Sequence, residues 1–248
     1  MSKLVRHDTR HLKDVLLLIG VDEAGRGAIA GPVCAGAVMI SRHFIDSAQR
    51  KRHGRRINDS KQLSPAERED LAGWILAMRN SGHIGAETAM ANVQEIEELN
   101  ILGATKLAMK RALQALEASE IIQLPTPGDE DSLFGDTLRA DRHRPRILVD
   151  GKRLKGFAYT HTAIVDGDAR SFCIALASII AKVARDHHMV RLHQQYPQYG
   201  LADHKGYGTP VHRDALLRHG PSDVHRPLFV QSLLAGRPDP AQAHFAFE

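Results

Sequence analysis

The octapeptide Gly20-Val21-Asp22-Glu23-Ala24-Gly25-Arg26-Gly27 constrains this chain more than any other segment. It is entered from the apolar run 16–19 and left through Gly31-Pro32. A short apolar run stopped by two acids and a glycine turn reads as a buried strand ending at a functional edge. Three glycines and Pro32 exclude a regular helix before the next apolar run, 33–40, so the two runs are expected as adjacent strands of one sheet. The stretch Gly25-Arg26-Gly27-Ala28-Ile29-Ala30 also matches the relaxed dinucleotide fingerprint of oxidoreductases. That fingerprint needs a helix starting there to present its N-terminus to a pyrophosphate, and Gly31-Pro32 denies it one.

Consecutive side chains of a strand point to opposite faces, so Asp22 and Glu23 can serve one site only where the strand ends. Glu23 would then offer either its side chain or its main-chain carbonyl, and both stay open. Val149-Asp150-Gly151-Lys152 repeats the pattern of an apolar strand closed by an acid and a glycine. Asp166-Gly167-Asp168 follows after enough chain for one strand and its return. Each motif alone is an ordinary strand-to-turn exit. Three strand ends that deliver carboxylates to one rim are instead the standard way to hold hard divalent cations in oxygen ligands, with magnesium a natural fit.

The remainder reads as an α/β chain. Residues 42–61, dense in Arg50, Lys51, Arg52, Arg55, Arg56 and Lys61, are expected as a solvent-exposed loop. Ser64, Pro65 and Glu67 form a capping box ahead of a helix, and Asn92 with Glu95 repeats that logic before a long amphipathic run to about residue 118. Strands are expected around 83–88, 147–149 and 163–165, and a long helix over 173–192 that Tyr196-Pro197 stops. On that helix Lys182, Arg185 and Asp186 have the spacing of a solvated face with a local ion pair. Seven of the 15 histidines lie between His187 and His225, without the ordered spacing of a zinc site. One domain is expected over 14–235, with a C-terminal helical extension at about 197–235, surface loops at 42–57 and 123–146, and flexible tails at 1–13 and 236–248.

Lys and Arg outnumber Asp and Glu by 33 to 29, which favours a polyanionic partner without requiring one. Cys34 and Cys173 have no paired spacing, which suggests neither a disulfide framework nor a cysteine zinc site, and fits a reducing compartment. The apolar stretch 15–21 is too short to cross a bilayer, so a cytoplasmic protein without a membrane segment is expected.

Seven motifs occur in a fixed order: the opening octapeptide, Asn58-Asp59-Ser60-Lys61-Gln62-Leu63-Ser64, Glu98-Leu99-Asn100-Ile101-Leu102, Val149-Asp150-Gly151, Gly167-Asp168, the run Ala177-Ser178-Ile179-Ile180-Ala181-Lys182-Val183-Ala184-Arg185-Asp186, and His204-Lys205-Gly206-Tyr207-Gly208-Thr209. Together they strongly resemble the bacterial ribonuclease HII family. The resemblance implies a ribonuclease H-like mixed five-stranded sheet flanked by helices, with a C-terminal helical extension that helps form the substrate groove. It implies an endonuclease that hydrolyses the RNA strand of RNA–DNA hybrids, including single ribonucleotides embedded in duplex DNA, and that works as a monomer. Asp22, Glu23, Asp150 and Asp168 map onto the family's catalytic, metal-binding acids, for Mg or Mn in two-metal-ion catalysis giving 5′-phosphate and 3′-hydroxyl ends. Gly25, Arg26 and Gly27 map onto the segment that reads 2′-hydroxyls, Tyr207 onto the tyrosine that packs on the neighbouring deoxyribose, and Ser60, Lys61 and Lys182 onto phosphate contacts.

Three positions depart from the family pattern. Asp166 stands where a lysine is usual, removing a positive charge beside the metal site. Ala175-Leu176-Ala177-Ser178 stands where a paired alanine is commoner, a packing change. His225-Arg226-Pro227-Leu228-Phe229 lacks the serine often found before the phenylalanine, which leaves that segment without an assigned role. The competing reading is a non-catalytic hybrid-binding protein, and the presence of all four acids argues against it, because crowded buried carboxylates are costly without cations.

Overall fold

A computed structural model describes residues 2–57, 63–120, 122–127 and 144–235. Ser60 and Lys61, most of the expected loop at 123–146 and the expected tail at 236–248 lie outside the described residues. In chain order the elements are α1 (Lys3–His11), β1 (Leu17–Ala24), β2 (Val33–Ser41), α2 (Arg42–Asp46), α3 (Ala48–His53), α4 (Pro65–Asn80), β3 (Gly85–Ala91), α5 (Val93–Glu120), β4 (Arg146–Asp150), β5 (Thr162–Ile164), α6 (Phe172–Gln195), α7 (Leu201–His204), α8 (Pro210–His219) and α9 (Pro227–Leu234).

The five strands form one mixed sheet in the order β3-β2-β1-β4-β5, as expected. β1 and β4 run parallel with Val21 beside Val149, and β4 and β5 run parallel with Asp150 beside Ile164. All but the first and the Glu23 positions of β1 are buried, and all of β2 is buried except its last residue, which is what a strand covered on both faces requires. The first turns of α6, from Phe172 to Ala177, are fully buried, and deleting the Phe172 ring should cost about 3–5 kcal/mol. A Cβ at Gly20 would lie 2.3 Å from the Cys173 carbonyl carbon, so only glycine lets β1 pass this close to the start of α6.

The capping expectations hold in atomic detail. Ser64 Oγ accepts from the Glu67 amide while the Glu67 carboxylate accepts from the Ser64 amide, and Asn92 and Glu95 exchange the same pair of bonds. The second of these helices carries a break that was not expected. Asn100 sits at φ 57°, ψ 173° inside α5, and its Oδ1 accepts from the amides of Leu102 and Gly103, capping the part that follows.

Two segments differ from expectation. Residues 1–13 are not a bare tail: α1 is capped by Ser2, buries Leu4 and Val5, and turns Asp8 inward so that its Oδ2 accepts from the Cys173 amide at 2.8 Å. A few apolar residues among many charges were enough to seat it. Residues 42–57 are helical and partly buried. Ser41 and Ser47 cap α2 and α3, Phe44, Ile45 and Ile57 join the core, and Arg50 is itself buried with its Nε donating to the Ile45 carbonyl at 2.5 Å. The density of charge hid the apolar anchors between.

The chain divides into two compact units. The first comprises Met1–Glu23, Ala35–Ala89 and Met109–Ala181, and the second Ala24–Cys34, Met90–Ala108 and Lys182–Glu248. The second therefore contains the C-terminal extension together with two excursions from earlier in the chain. Among the described residues no helix is long and apolar enough to cross a membrane.

Candidate active site

In the first unit, parallel pairing brings the carboxylates of two strands to the same rim. With Val21 beside Val149, Asp22 is level with Asp150 at the adjacent ends of β1 and β4. Asp22 is only 5% exposed, and its Oδ1 accepts from the Glu23 amide at 2.7 Å. Burial pushes its carboxyl well above the usual carboxylate range, and the negative charges of Glu23 and Asp150 push in the same direction. The Ser178 side chain on α6 opposes them with a hydrogen bond to Asp22.

Asp150 is tied to the next acidic turn. Its Oδ1 accepts from the Gly167 amide at 2.6 Å, which fixes the short helical turn Gly167–Ala169 and with it the buried Asp168. Asp166, which stands where the resemblance implied a lysine, is exposed and sits in the left-handed region at φ 53°, a conformation that aspartate tolerates better than most side chains. Oxygen-only donors and crowded negative charge are the chemistry that a hard divalent cation satisfies. Among the described residues, however, no group of three or more His, Cys, Asp or Glu side chains is gathered into a ligand cluster. Asp22, Glu23 and Asp150 act on one another electrostatically, and Asp150 is tied to the turn that bears Asp168, without the acids closing into a coordination shell among the described residues.

The second unit holds Gly25, Arg26, Gly27, Lys182 and Tyr207. Residues 25–32 cross from β1 to β2 as irregular backbone without a helix, consistent with rejecting the dinucleotide fingerprint. Two buried guanidinium groups occupy the carbonyls of this crossing. Arg226 donates from Nε to Gly31 O at 2.9 Å, from Nη1 to Arg26 O at 3.0 Å and from Nη2 to Gly25 O at 2.8 Å. Arg185 donates from Nε to Pro32 O, from Nη1 to Lys205 O and from Nη2 to Ala30 O, at 2.9, 2.9 and 3.1 Å. The main chain of the Tyr207 loop joins the same frame, since Gly206 O accepts from the amides of Ile29 and Ala30.

Tyr207 is 36% exposed, with the Lys182 ammonium 5.8 Å and the Arg185 guanidinium 5.5 Å from its ring centre. Lys182 pairs with Asp186 at 2.7 Å, as its spacing implied, but Arg185 is fully buried and not on a solvated face. Behind the loop, His212 and His225 make a relay of hydrogen bonds. The Tyr207 carbonyl can only accept, so His212 donates to it from Nδ1 and must accept at Nε2 from His225 Nε2, while His225 Nδ1 accepts from the Ser222 amide. Both rings are thereby neutral, and burial holds each pKa down to about 4.

Ser178, Arg185 and Arg226 are the residues near these groups whose roles sequence reasoning missed. The first two lay inside a motif already singled out, and the third in the segment left without a role. Their signal was there, but their acceptors were not identifiable.

The family model for ribonuclease HII matches residues 19–232. A ribonuclease HII from Verminephrobacter eiseniae is 44% identical over 215 residues, covering 86% of this chain and 85% of the relative. One from Caldicellulosiruptor bescii is 37% identical over 218 residues, covering 88% of each chain. Among solved structures, ribonuclease H2 from Pyrococcus horikoshii OT3 superposes with a TM-score of 0.61 at 23% identity, covering 89% of this chain and 98% of that one. The Mn2+ complex of Bst ribonuclease HIII gives 0.62 at 18% identity, covering 91% and 71%. At those identities the two structures speak to the fold alone.

Proposed function

The chain belongs to the ribonuclease HII family and is an endonuclease acting on the RNA of RNA–DNA hybrids, and from that premise we propose which residues carry the reaction. Asp22, Glu23, Asp150 and Asp168 hold the divalent cation, magnesium or manganese. Residues 25–27 and Tyr207 read the junction between a ribonucleotide and the deoxyribonucleotide that follows it, and Lys182 meets a phosphate.

The observation that carries this assignment is the burial of Asp22 level with Asp150, its carboxyl raised by burial, by Glu23 and by Asp150. A cation held by these carboxylates would offset that imbalance, and would supply Lewis-acid polarisation of the phosphate and a more acidic water for in-line attack. The chain's own groups do the positioning. A hydrogen bond from Ser178 holds Asp22 and one from the Gly167 amide holds Asp150, which supports their use at the scissile phosphate. Gly25 and Arg26 have their carbonyls occupied by Arg226, which leaves the outer edge of the backbone for the minor groove, where the 2′-hydroxyl lies. The Tyr207 ring presents a flat face for a sugar, backed by two cations. Lys182, held by Asp186, keeps its ammonium beside that ring, ready for a phosphate.

The test is cleavage of a DNA duplex carrying one ribonucleotide, with magnesium and with chelator. Cutting in magnesium at the ribonucleotide and none in chelator is expected, and equal cutting of all-DNA duplex would overturn the assignment.

A further inference from the structure

Arg185 and Arg226 look alike in sequence and in burial, but they bind different things. Arg226 addresses carbonyls of the crossing, those of Gly25, Arg26 and Gly31. Arg185 spans two elements: it donates to Ala30 and Pro32 on the crossing and to Lys205 in the loop before Tyr207, and its guanidinium lies against the Tyr207 ring. We propose that Arg185 is the positioning residue that locks the Tyr207 loop to the crossing that carries Gly25-Arg26-Gly27, and thereby sets the discrimination between a ribonucleotide followed by deoxyribose and a continuous RNA tract. The inference rests on the assignment of residues 25–27 and Tyr207 as junction readers.

Three facts carry it. A planar guanidinium can address three carbonyls in fixed directions at once, which a lysine ammonium on a flexible stem cannot reproduce. Arg185 is fully buried, and its bonds to Pro32 and Ala30 are made away from competing water. Gly25 is moulded to it: at φ 89° a Cβ there would lie 1.8 Å from Arg185 Nε, so the first glycine of the reading segment is required by this side chain as well as by its own backbone. Checking two adjacent sugars needs the two readers held at a fixed separation, and Arg185 donates both to the crossing, at Ala30 and Pro32, and to Lys205 in the loop before Tyr207.

The experiment compares Arg185→Lys and Arg226→Lys with the parent on two substrates in magnesium: a DNA duplex with one embedded ribonucleotide and a continuous RNA–DNA hybrid. The readout is the ratio of kcat/KM between them. Arg185→Lys should lower that ratio by about tenfold or more, as expected for removal of buried charge-assisted bonds. Arg226→Lys should lower both activities together and leave the ratio within about threefold, since its carbonyl acceptors lie on the element that meets the 2′-hydroxyl present in both substrates. An Arg185→Lys ratio equal to the parent's, or an equal fall of the ratio in Arg226→Lys, overturns the proposal.

If Arg185→Lys does not melt as a folded protein, Gly25→Ala, which displaces the guanidinium without removing it, must lower the ratio instead, and an unchanged ratio there overturns the proposal. A parent enzyme that shows no preference between the two substrates would sink the junction-reading assignment. In that case the lock is judged by amide hydrogen exchange. Residues 25–31 and 206–208 should lose protection together in Arg185→Lys, and unchanged protection in either segment overturns the lock itself.

Discussion

The carboxylate rim of the first unit and the arginine-held crossing of the second solve opposite problems. At the rim the groups proposed to act are side chains, and the backbone is regular: two parallel strands in register bring Asp22 level with Asp150, and a hydrogen bond from the Gly167 amide to Asp150 helps anchor the turn that bears Asp168. In the crossing the backbone is irregular, so it needs side chains as scaffolding, and two guanidinium groups take up carbonyls that no sheet or helix satisfies. The rim accumulates like charge and suits a cation. The crossing buries positive charge, with the carbonyls as its acceptors, and leaves a surface suited to a sugar edge. On the proposed assignment, chemistry and recognition would be built from different physical resources, one from titratable side chains and one from main-chain shape.

The largest expected effect tests the rim. Asp22→Asn or Asp150→Asn should reduce cleavage by more than about a hundredfold while hybrid binding is largely kept, since charge is removed but little volume. Asn at 150 can still accept from the Gly167 amide, so a folding defect is not the explanation for such a fall. Activity within about tenfold of the parent would break the division of labour. Next comes recognition: Tyr207→Ala should lower cleavage of a single embedded ribonucleotide by about tenfold to a hundredfold, comparable with removal of a base-stacking aromatic. Because the ring is partly exposed, the melting midpoint should stay near the parent's, and cleavage as fast as the parent's would remove Tyr207 from the recognition surface.

A smaller effect tests how the recognition side is held. His212 and His225 have folded-state pKa values of about 4, below the ordinary 6.5, so their contribution to stability is present above pH 6.5 and is lost as the pH falls towards 4. The melting midpoint should drop by several degrees across that window, and His225→Asn, which cannot gain that charge, should flatten the slope. A slope unchanged by the substitution would show that the histidine relay does not govern the acid limb. The smallest effect concerns the basic segment of the first unit. Lys51, Arg52 and Arg56 are exposed, whereas Arg50 is structural and must be left in place. Neutralising these three should weaken binding to all duplexes and flatten its salt dependence by about one unit of slope for each phosphate that is no longer neutralised. An unchanged slope would mean a face that meets only solvent.

Much of the fold was legible because local rules govern it. β1 and β4 followed from apolar runs closed by acids and glycines, β2 from the apolar run after Gly31-Pro32, α4 and α5 from their capping boxes, and α6 from its apolar, alanine-rich spacing. The rim was legible for a related reason, since a carboxylate at the end of a buried strand has few places to go. What escaped were the features whose partners are distant. α1 depends on Asp8 reaching the Cys173 amide at the start of a helix 165 residues away.

The sequence by itself determined the strand ends, the caps, the acidic rim and the family, because each is written in neighbouring residues and in their order. Only the tertiary structure decided which charged residues are scaffold and which are surface. Arg226 addresses carbonyls 195 to 201 positions away, and Arg185 has acceptors 153 and 155 positions back and 20 ahead. A main-chain carbonyl carries no residue identity, so nothing in the order of letters marks it as a partner. The choice between burying an arginine and leaving it in water is made only once the irregular backbone that needs its donors has been folded into place.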